Sequence, residues 1–398
     1  MSSVLLESFS AHEIFISSAQ QQSQLESFTQ SALEKGIELY QQEDYEGAIA
    51  AFKRCIGIAP RSSYASDVRN YIANSYLHLE DTENAIATYK EAMRMDPSRD
   101  DVHTKLGNIY YGLKRYKEAE DEYAKAVRLN PSANNYYSLG QANINTGNFG
   151  EAEIHFKKVL QLIPNKPNGH FGLGLLYGKQ ERFSEAVEQF SEAINQDEEF
   201  YDAYAELGYL YADMGELDKA EEQLQILKEK EPYIANILNS YIYRKESPKI
   251  ILALATGTFQ YLMPIKTKVS ALDAYLEQAN ASKSFTMVFQ FDKQMDRASV
   301  ENPYNWMISR AVRERPAESY NLGLPIKSNE VTMLPYPENV YYDASTLTAT
   351  IRFTIRQNDT ANGTIDPSHI EFKFSGKDIF GNAMDADYDQ FTGFSNLV

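Results

Sequence analysis

A two-part α + β chain is expected from this sequence, a stack of two-helix repeats followed by an antiparallel β domain, and two observations lead there. Small residues recur at a near-constant interval up to about residue 234. After Ser247-Pro248 the interval is lost, and short stretches of alternating apolar and polar residues take over, separated by Asn, Gly, Pro and Asp. A chain of 398 residues exceeds one compact core, and its 43% hydrophobic and 12% aromatic content is ample for two or three.

The recurring small residues are Gly36, Ala73, Gly107, Gly140, Gly174 and Gly208, spaced by 37, 34, 33, 34 and 34 residues. Twelve residues after each stands an alanine: Ala48, Ala85, Ala119, Ala152, Ala186 and Ala220. Four further on comes a large side chain: Phe52, Tyr89, Tyr123, Phe156, Phe190 and Leu224. Cys55, Ala92, Ala126, Val159, Ala193 and Leu227 follow, then a proline in five of the six units (Pro60, Pro97, Pro131, Pro164, Pro232), with Glu198 in the fifth. Such spacing describes two antiparallel helices, A and B, that approach most closely at the small residues. The large side chain plugs the gap between them, and proline stops helix B. One unit cannot bury its own apolar face, so the units must stack.

This pattern resembles the tetratricopeptide repeat. Leu106-Gly107, Leu139-Gly140, Leu173-Gly174 and Leu207-Gly208 match that family's Leu-Gly pair, with Tyr110, Tyr177 and Tyr211 three residues on. No repeat carries the family's early tryptophan, and Asn143 stands where the fourth would have an aromatic. The resemblance implies a right-handed α-superhelix of six repeats, at 29–62, 66–99, 100–132, 133–166, 167–200 and 201–234. A capping helix with Ile234, Ile237, Leu238, Tyr241 and Ile242 would close it, giving a domain over 29–247 behind a flexible or partly helical tail at 1–28.

In that family the A helices line a concave groove that holds a partner segment. Carried over repeat by repeat, the resemblance places Tyr40, Asn70, Tyr71, Asn74, Thr104, Lys105, Asn108, Tyr111, Tyr137, Gln141, Asn145, Phe171, Leu175 and Tyr209 there. Asn74, Asn108 and Gln141 fall at one equivalent position in consecutive repeats, and a ladder of amides can pair with both the N–H and the C=O of an extended backbone. The interleaved aromatics grip side chains at low entropic cost. Amides on an exposed helix face are also common without any binding role. Lys105 is the main groove cation, so a clamp for a terminal carboxylate is incomplete.

Behind the repeats, 248–398 reads as a β domain, with strands at Phe285–Phe291, Leu347–Ile355 and Ile370–Phe374, and a loop with a short helix over 263–284. The run from Phe289 to Trp306 (FQFDKQMDRASVENPYNW) resembles the start of bacterial Ig-like domains of the S-layer type. Asp378-Ile-Phe-Gly-Asn-Ala-Met-Asp385 is similar to their closing turn. That resemblance implies an Ig-like β-sandwich of the kind used as cell-surface modules. Asp385, Asp387 and Asp389 alternate, but Gln390 stands where a calcium loop has glycine, so they read as a solvated acidic end.

The chain carries 56 acidic against 38 basic residues, a net charge of −18, of which about −12 lies between Glu181 and Ser240. That excess repels phosphate backbones and anionic membranes. It fits a basic partner, although an acidic helix face is more often only solvated. The single Cys55 forms no intramolecular disulfide. The start, MSSVLLESFSAHEIFISSAQ, has no basic region before an apolar one, and Ile250 to Leu254 is too short to span a bilayer. Residence in the cytoplasm follows from that reading.

Chemistry-bearing motifs are not found. None of His12, His78, His103, His155, His170 and His369 stands at ligand spacing from another His or from Cys55, so no metal is expected. Gly172-Leu-Gly174 with Gly178 mimics a nucleotide loop, but Gly174 is the packing glycine of its repeat. The expectation is a non-enzymatic scaffold without cofactor or nucleic acid, holding a protein or peptide in the groove while the Ig-like domain makes a second assembly contact. The alternative is a self-associating component of a bacterial surface layer or appendage, exported without a standard leader.

Overall fold

The computed structural model describes residues 11–60, 62, 64–256, 266–312, 315–319, 329–331, 333–366, 369–393 and 395–397. Thirteen helices come first: α1 (Ala11–Gln41), α2 (Tyr45–Ile58), α3 (Ala65–His78), α4 (Thr82–Met95), α5 (Asp100–Gly112), α6 (Tyr116–Leu129) and α7 (Ala133–Thr146), followed by α8 (Phe149–Leu162), α9 (Asn168–Lys179), α10 (Phe183–Gln196), α11 (Tyr201–Asp213), α12 (Leu217–Lys230) and α13 (Pro232–Lys245). The first twelve alternate as helix A and helix B of six repeats, α13 follows them, and an antiparallel sheet region comes next. The chain divides into two compact units, one up to Leu210 and one from Tyr211.

The small residues act as their spacing requires. All six alanines from Ala48 to Ala220 are fully buried, and so are the plugs Phe52, Tyr89, Tyr123, Phe156, Phe190 and Leu224 to within 3%. A Cβ on Gly107 would lie 2.6 Å from the Tyr123 ring, and one on Gly140 would lie 2.8 Å from Phe156. No side chain fits there, so glycine sets how closely helix A approaches the plug. Gly174 meets Phe190 in the same way, as its packing role requires. Each buried plug contributes on the order of 1.5–3 kcal/mol.

One regularity is hidden from the residue types. Seven positions after each small residue the backbone turns left-handed: Glu43 (φ 61), Glu80 (60), Lys114 (59), Gly147 (80), Glu181 (59) and Gly215 (76). This residue ends helix A and aims the chain back along helix B. Four of the six repeats hold a side chain in a conformation that costs roughly 1–2 kcal/mol. Helix B then starts on Asp44 or Asp81 in the first two repeats, where the carboxylate accepts the N–H of Gly47 (2.9 Å) or Asn84 (3.1 Å).

The expected N-terminal tail is helical from Ala11, because α1 runs without a break into helix A of the first repeat; residues 1–10 lie outside the described ones. Side chains at 23–28 are exposed, Leu25 and Phe28 among them. At the other end α13 buries Ala235, Leu238 and Ile242, whereas Ile237, expected to pack, is 47% exposed.

The strands are β1 (Ile250–Thr256), β2 (Thr267–Lys268), β3 (Ser282–Phe291), β4 (Trp306–Val312), β5 (Arg315–Ser319), β6 (Asn339–Asp343), β7 (Thr348–Arg356), β8 (Thr364–Ile365), β9 (Ile370–Phe374), β10 (Gln390–Thr392) and β11 (Ser395–Leu397). They form a five-stranded sheet, β11-β1-β3-β7-β6, a four-stranded sheet, β10-β9-β4-β5, and the pair β2-β8, with every pairing antiparallel. The three strands read from alternation correspond to β3, β7 and β9. Two 3₁₀ turns, Val269–Ala271 and Ala274–Glu277, lie in the segment expected to interrupt the strands; 263–265 fall outside the described residues. Alternate residues Phe285, Met287, Phe289 and Phe291 of β3 share one core with Phe372 and Phe374 of β9 and with Trp306. Trp306 and Phe374 are 4.5 Å apart between ring centroids.

The two segments that carried the Ig-like resemblance converge on the end of α13. Lys293, 1% exposed, donates to the carbonyl oxygens of Tyr243 (2.6 Å) and Glu246 (2.8 Å) and lies 3.6 Å from the buried carboxylate of Asp378. Asn382 donates to the carbonyl of Arg244 at 2.6 Å, and Asp378 accepts the N–H groups of Phe380 and Asn382. The last carbonyls of α13, otherwise without partners, are thus satisfied by the β region, with a cation at the negative end of the helix. The acidic end is less solvated than expected, since Asp389 is 8% exposed and pairs with Lys373 at 3.0 Å.

Candidate partner-binding face

The helix-A positions meet two kinds of surroundings. Asn74 accepts a hydrogen bond from the Tyr89 hydroxyl at 2.7 Å, and Asn108 accepts one from Tyr123 at 2.7 Å, the same pair fifteen residues apart in consecutive repeats. Each tyrosine is the buried plug of its own repeat, and burial pushes its phenol well above the ordinary range. The amide oxygen is therefore engaged by the core tyrosine, which leaves the NH2 group as the remaining donor. At these two rungs the amide oxygen is already engaged, so the NH2 group is what remains for further pairing.

The third rung differs because its plug differs. Phe156 has no hydroxyl, and Gln141 turns instead to the Tyr137 hydroxyl at 3.2 Å. Asn145 donates to the Tyr111 hydroxyl at 2.9 Å and to the Gln141 carbonyl at 3.0 Å. Tyr111, Tyr137, Gln141 and Asn145 thus form one polar patch across repeats 3 and 4. Burial raises the Tyr137 phenol, and the carboxylates of Asp202 and Glu206 raise it further. In repeat 5 the plug is Phe190, and the equivalent position is Leu175, half-buried. Asparagine stands at this position only in the two repeats whose plug is tyrosine, and this coupling went unread in the sequence although both partners stand in it.

The remaining candidates divide. Tyr71, 37% exposed, stacks on Phe52 at 5.3 Å and meets Tyr40 edge-on at 5.5 Å. Asn70 is 8% exposed and its amide oxygen is buried without a partner. Thr104 is engaged by Asn135 at 2.9 Å, and Lys105 lies near Asp101, which pairs with Arg99 at 2.7 Å. Phe171 packs against Phe190 and Phe200, at 5.7 and 4.9 Å, so its ring is part of the packing inside repeat 5. Tyr209 lies half-buried beside Glu206. Asp202 and Glu206, on the same face of α11, were not singled out in the sequence, where they are two among 56 acidic residues.

Three histidines are held by partners within their own repeats. His103 and His170, equivalent in their repeats, meet Glu122 at 2.6 Å and Gln189 at 2.9 Å from helix B. His155 meets Asn143, 2% exposed, at 2.9 Å, which accounts for an amide at that aromatic position. Among the described residues no group of His, Cys, Asp and Glu could hold a metal ion, and no helix is long and apolar enough to cross a membrane.

Models of the tetratricopeptide repeat match residues 33–100, 70–134 and 104–167, and a further one matches 177–235. Those segments are tetratricopeptide repeats. A tetratricopeptide repeat protein from Parabacteroides merdae superposes with a TM-score of 0.51 at 18% identity, over 54% of this chain and 86% of that one, which is a likeness of fold. Pseudomonas aeruginosa PilF matches with a TM-score of 0.42 at 19% identity, over 54% of this chain and 98% of that one. YrrB, described as a TPR protein with an unusual peptide-binding site, matches with a TM-score of 0.36 at 25% identity, over 48% of this chain and 98% of that one. No curated protein matches the chain.

Proposed function

We propose that these tetratricopeptide repeats are a non-enzymatic scaffold that holds an extended protein segment along the helix-A face of repeats 2 to 6. One observation carries the reading. Asn74 and Asn108 each give their amide oxygen to a core tyrosine, which leaves the NH2 group to pair elsewhere, and Tyr111, Asn145, Gln141 and Tyr137 add a hydrogen-bonded polar group on helix A of repeats 3 and 4. Donors fixed before binding lose little entropy when a partner's carbonyls arrive. The β region, in this reading an Ig-like domain over 248–398, makes a second assembly contact.

The test exchanges one rung without disturbing the core. Asn108→Leu with Tyr123→Phe installs in repeat 3 the Leu175–Phe190 arrangement that repeat 5 already holds. Peptides selected from a displayed random library on the full chain would be titrated against it. Affinity should fall several-fold, as expected from loss of a hydrogen bond of roughly 0.5–1.5 kcal/mol. Unchanged affinity in the folded double variant would refute binding at this face.

A further inference from the structure

We infer that repeats 1 and 2 carry a second binding site, for an acidic segment of a partner protein, in which Lys53 of α2 and Arg94 of α4 receive a carboxylate. Lys53, Tyr76, Glu91, Arg94 and Met95 line one open cavity of about 610 Å³, built from α2, α3 and α4. Its α4 wall is a single stripe, since Thr88, Glu91 and Met95 follow at helical spacing with Arg94 beside them. The lining shares no residue with the candidate positions on the helix-A face, so the site stands apart from that reading.

The charges of this lining do not cancel. Its carboxylate, Glu91, is already neutralised by Arg69, which is 3% exposed and donates to it at 3.1 Å and to the Ala65 carbonyl at 3.1 Å. The Nε of that buried arginine has no partner of its own. Lys53 donates to the Tyr76 hydroxyl at 2.7 Å, with its ammonium 5.3 Å from the ring centre, and Arg94 spends only its Nε, on the Lys90 carbonyl at 3.4 Å. Neither forms an ion pair among the described residues, which leaves two positive charges in surplus on a chain of net charge −18. The contact with Tyr76 holds the ammonium in place before any partner arrives, and the tyrosine, having accepted from Lys53, keeps its own O–H for the same carboxylate. Such a cationic cavity complements an acidic partner that the rest of the surface repels. Ala87 and Met95, the latter 47% exposed, add aliphatic surface to the cavity. A free anion leaves that surface in water, whereas an apolar residue next to the acid covers it. A long polyanion meets the repulsion of the whole chain, so a short acidic segment of protein is the occupant that fits.

The test uses the full chain. Peptides are selected from a displayed random library on the parent protein and counter-selected on Lys53→Gln/Arg94→Gln, two changes at exposed positions that leave the core untouched. The peptides recovered should carry aspartate or glutamate beside an apolar residue. In fluorescence polarisation, changing that acid to its amide should weaken binding about five-fold or more. Lys53→Gln/Arg94→Gln should produce the same loss, with no further loss when both changes are combined. Asn108→Leu/Tyr123→Phe should leave these affinities unchanged, so failure of the helix-A face and failure of this site are read separately. Recovery of no peptide that depends on Lys53 and Arg94, or of peptides without an acid, would overturn the inference. Tighter binding when phosphoserine replaces the acid would overturn it too, and would assign the cavity to a phosphorylated partner.

Discussion

The bond between Asn74 and Tyr89 makes the helix-A face and the core a single system, and a double-mutant cycle measures that coupling. Tyr89 is fully buried, and Asn74 is its hydroxyl partner at 2.7 Å. Asn74→Ala leaves that hydroxyl buried without a partner, which costs about 1–3 kcal/mol. Tyr89→Phe removes the hydroxyl itself and leaves the half-buried Asn74 amide within reach of water, so its cost is nearer 0.5–1.5 kcal/mol. Once the hydroxyl is gone, losing the amide should add little. The double variant should therefore resemble Tyr89→Phe alone, with a coupling energy of about 1 kcal/mol or more. Urea unfolding of the four proteins, followed by circular dichroism, reads this directly. Single effects that simply add would refute the view that the amide serves the core. Asn74→Ala would then be a clean probe of binding, which it is not on the present geometry.

Four further outcomes follow from features described above. Ala119→Leu should overpack the fully buried A/B interface of repeat 3 and lower stability by roughly 1–3 kcal/mol, seen as a lower unfolding midpoint. Lys114→Gly relieves a left-handed backbone (φ 59) but adds freedom to the unfolded chain, so a net gain of up to about 1 kcal/mol is expected in the same assay. Because burial raises the Glu206 carboxyl in the folded state, the proton it binds favours folding below the ordinary value of 4.5, and that contribution is lost as pH rises through the folded value. Glu206→Gln should accordingly unfold at a higher temperature than the parent at pH 7, with the difference vanishing below about pH 4. Lys293→Met strands the Asp378 carboxylate and frees the α13 carbonyls, so a loss of about 3–5 kcal/mol and faster amide hydrogen exchange in α13 are expected.

The repeats were legible because their packing is written in residue size: a small residue, an alanine and a large plug at fixed intervals admit one arrangement of two helices. The strands at β3, β7 and β9 were legible because their side chains alternate between core and outside. The left-handed turn was not, since Glu43, Glu80, Lys114 and Glu181 occupy a position where glycine would have marked it. Lys293 was invisible as a core residue, because a lysine in sequence reads as surface until its carbonyl partners are seen. On the candidate face the positions were placed by resemblance, but their hydrogen bonds depend on a residue fifteen places on. Phe171 was grouped with the binding aromatics because the sequence does not show that Phe200 closes over it.

The pairing of plug and amide also constrains how such an array can change over generations. A single base change turns tyrosine into phenylalanine, a mild step in the core, yet it releases the amide fifteen residues earlier from its one fixed bond. That amide is then free to drift to leucine, as the Phe190–Leu175 repeat already illustrates. The reverse path is harder, because a tyrosine arriving opposite leucine has no acceptor waiting. Asparagine rungs such as Asn74 and Asn108 are therefore inherited jointly with an interior residue, and the order in which the two mutations occur decides which surfaces descendants of this repeat can reach.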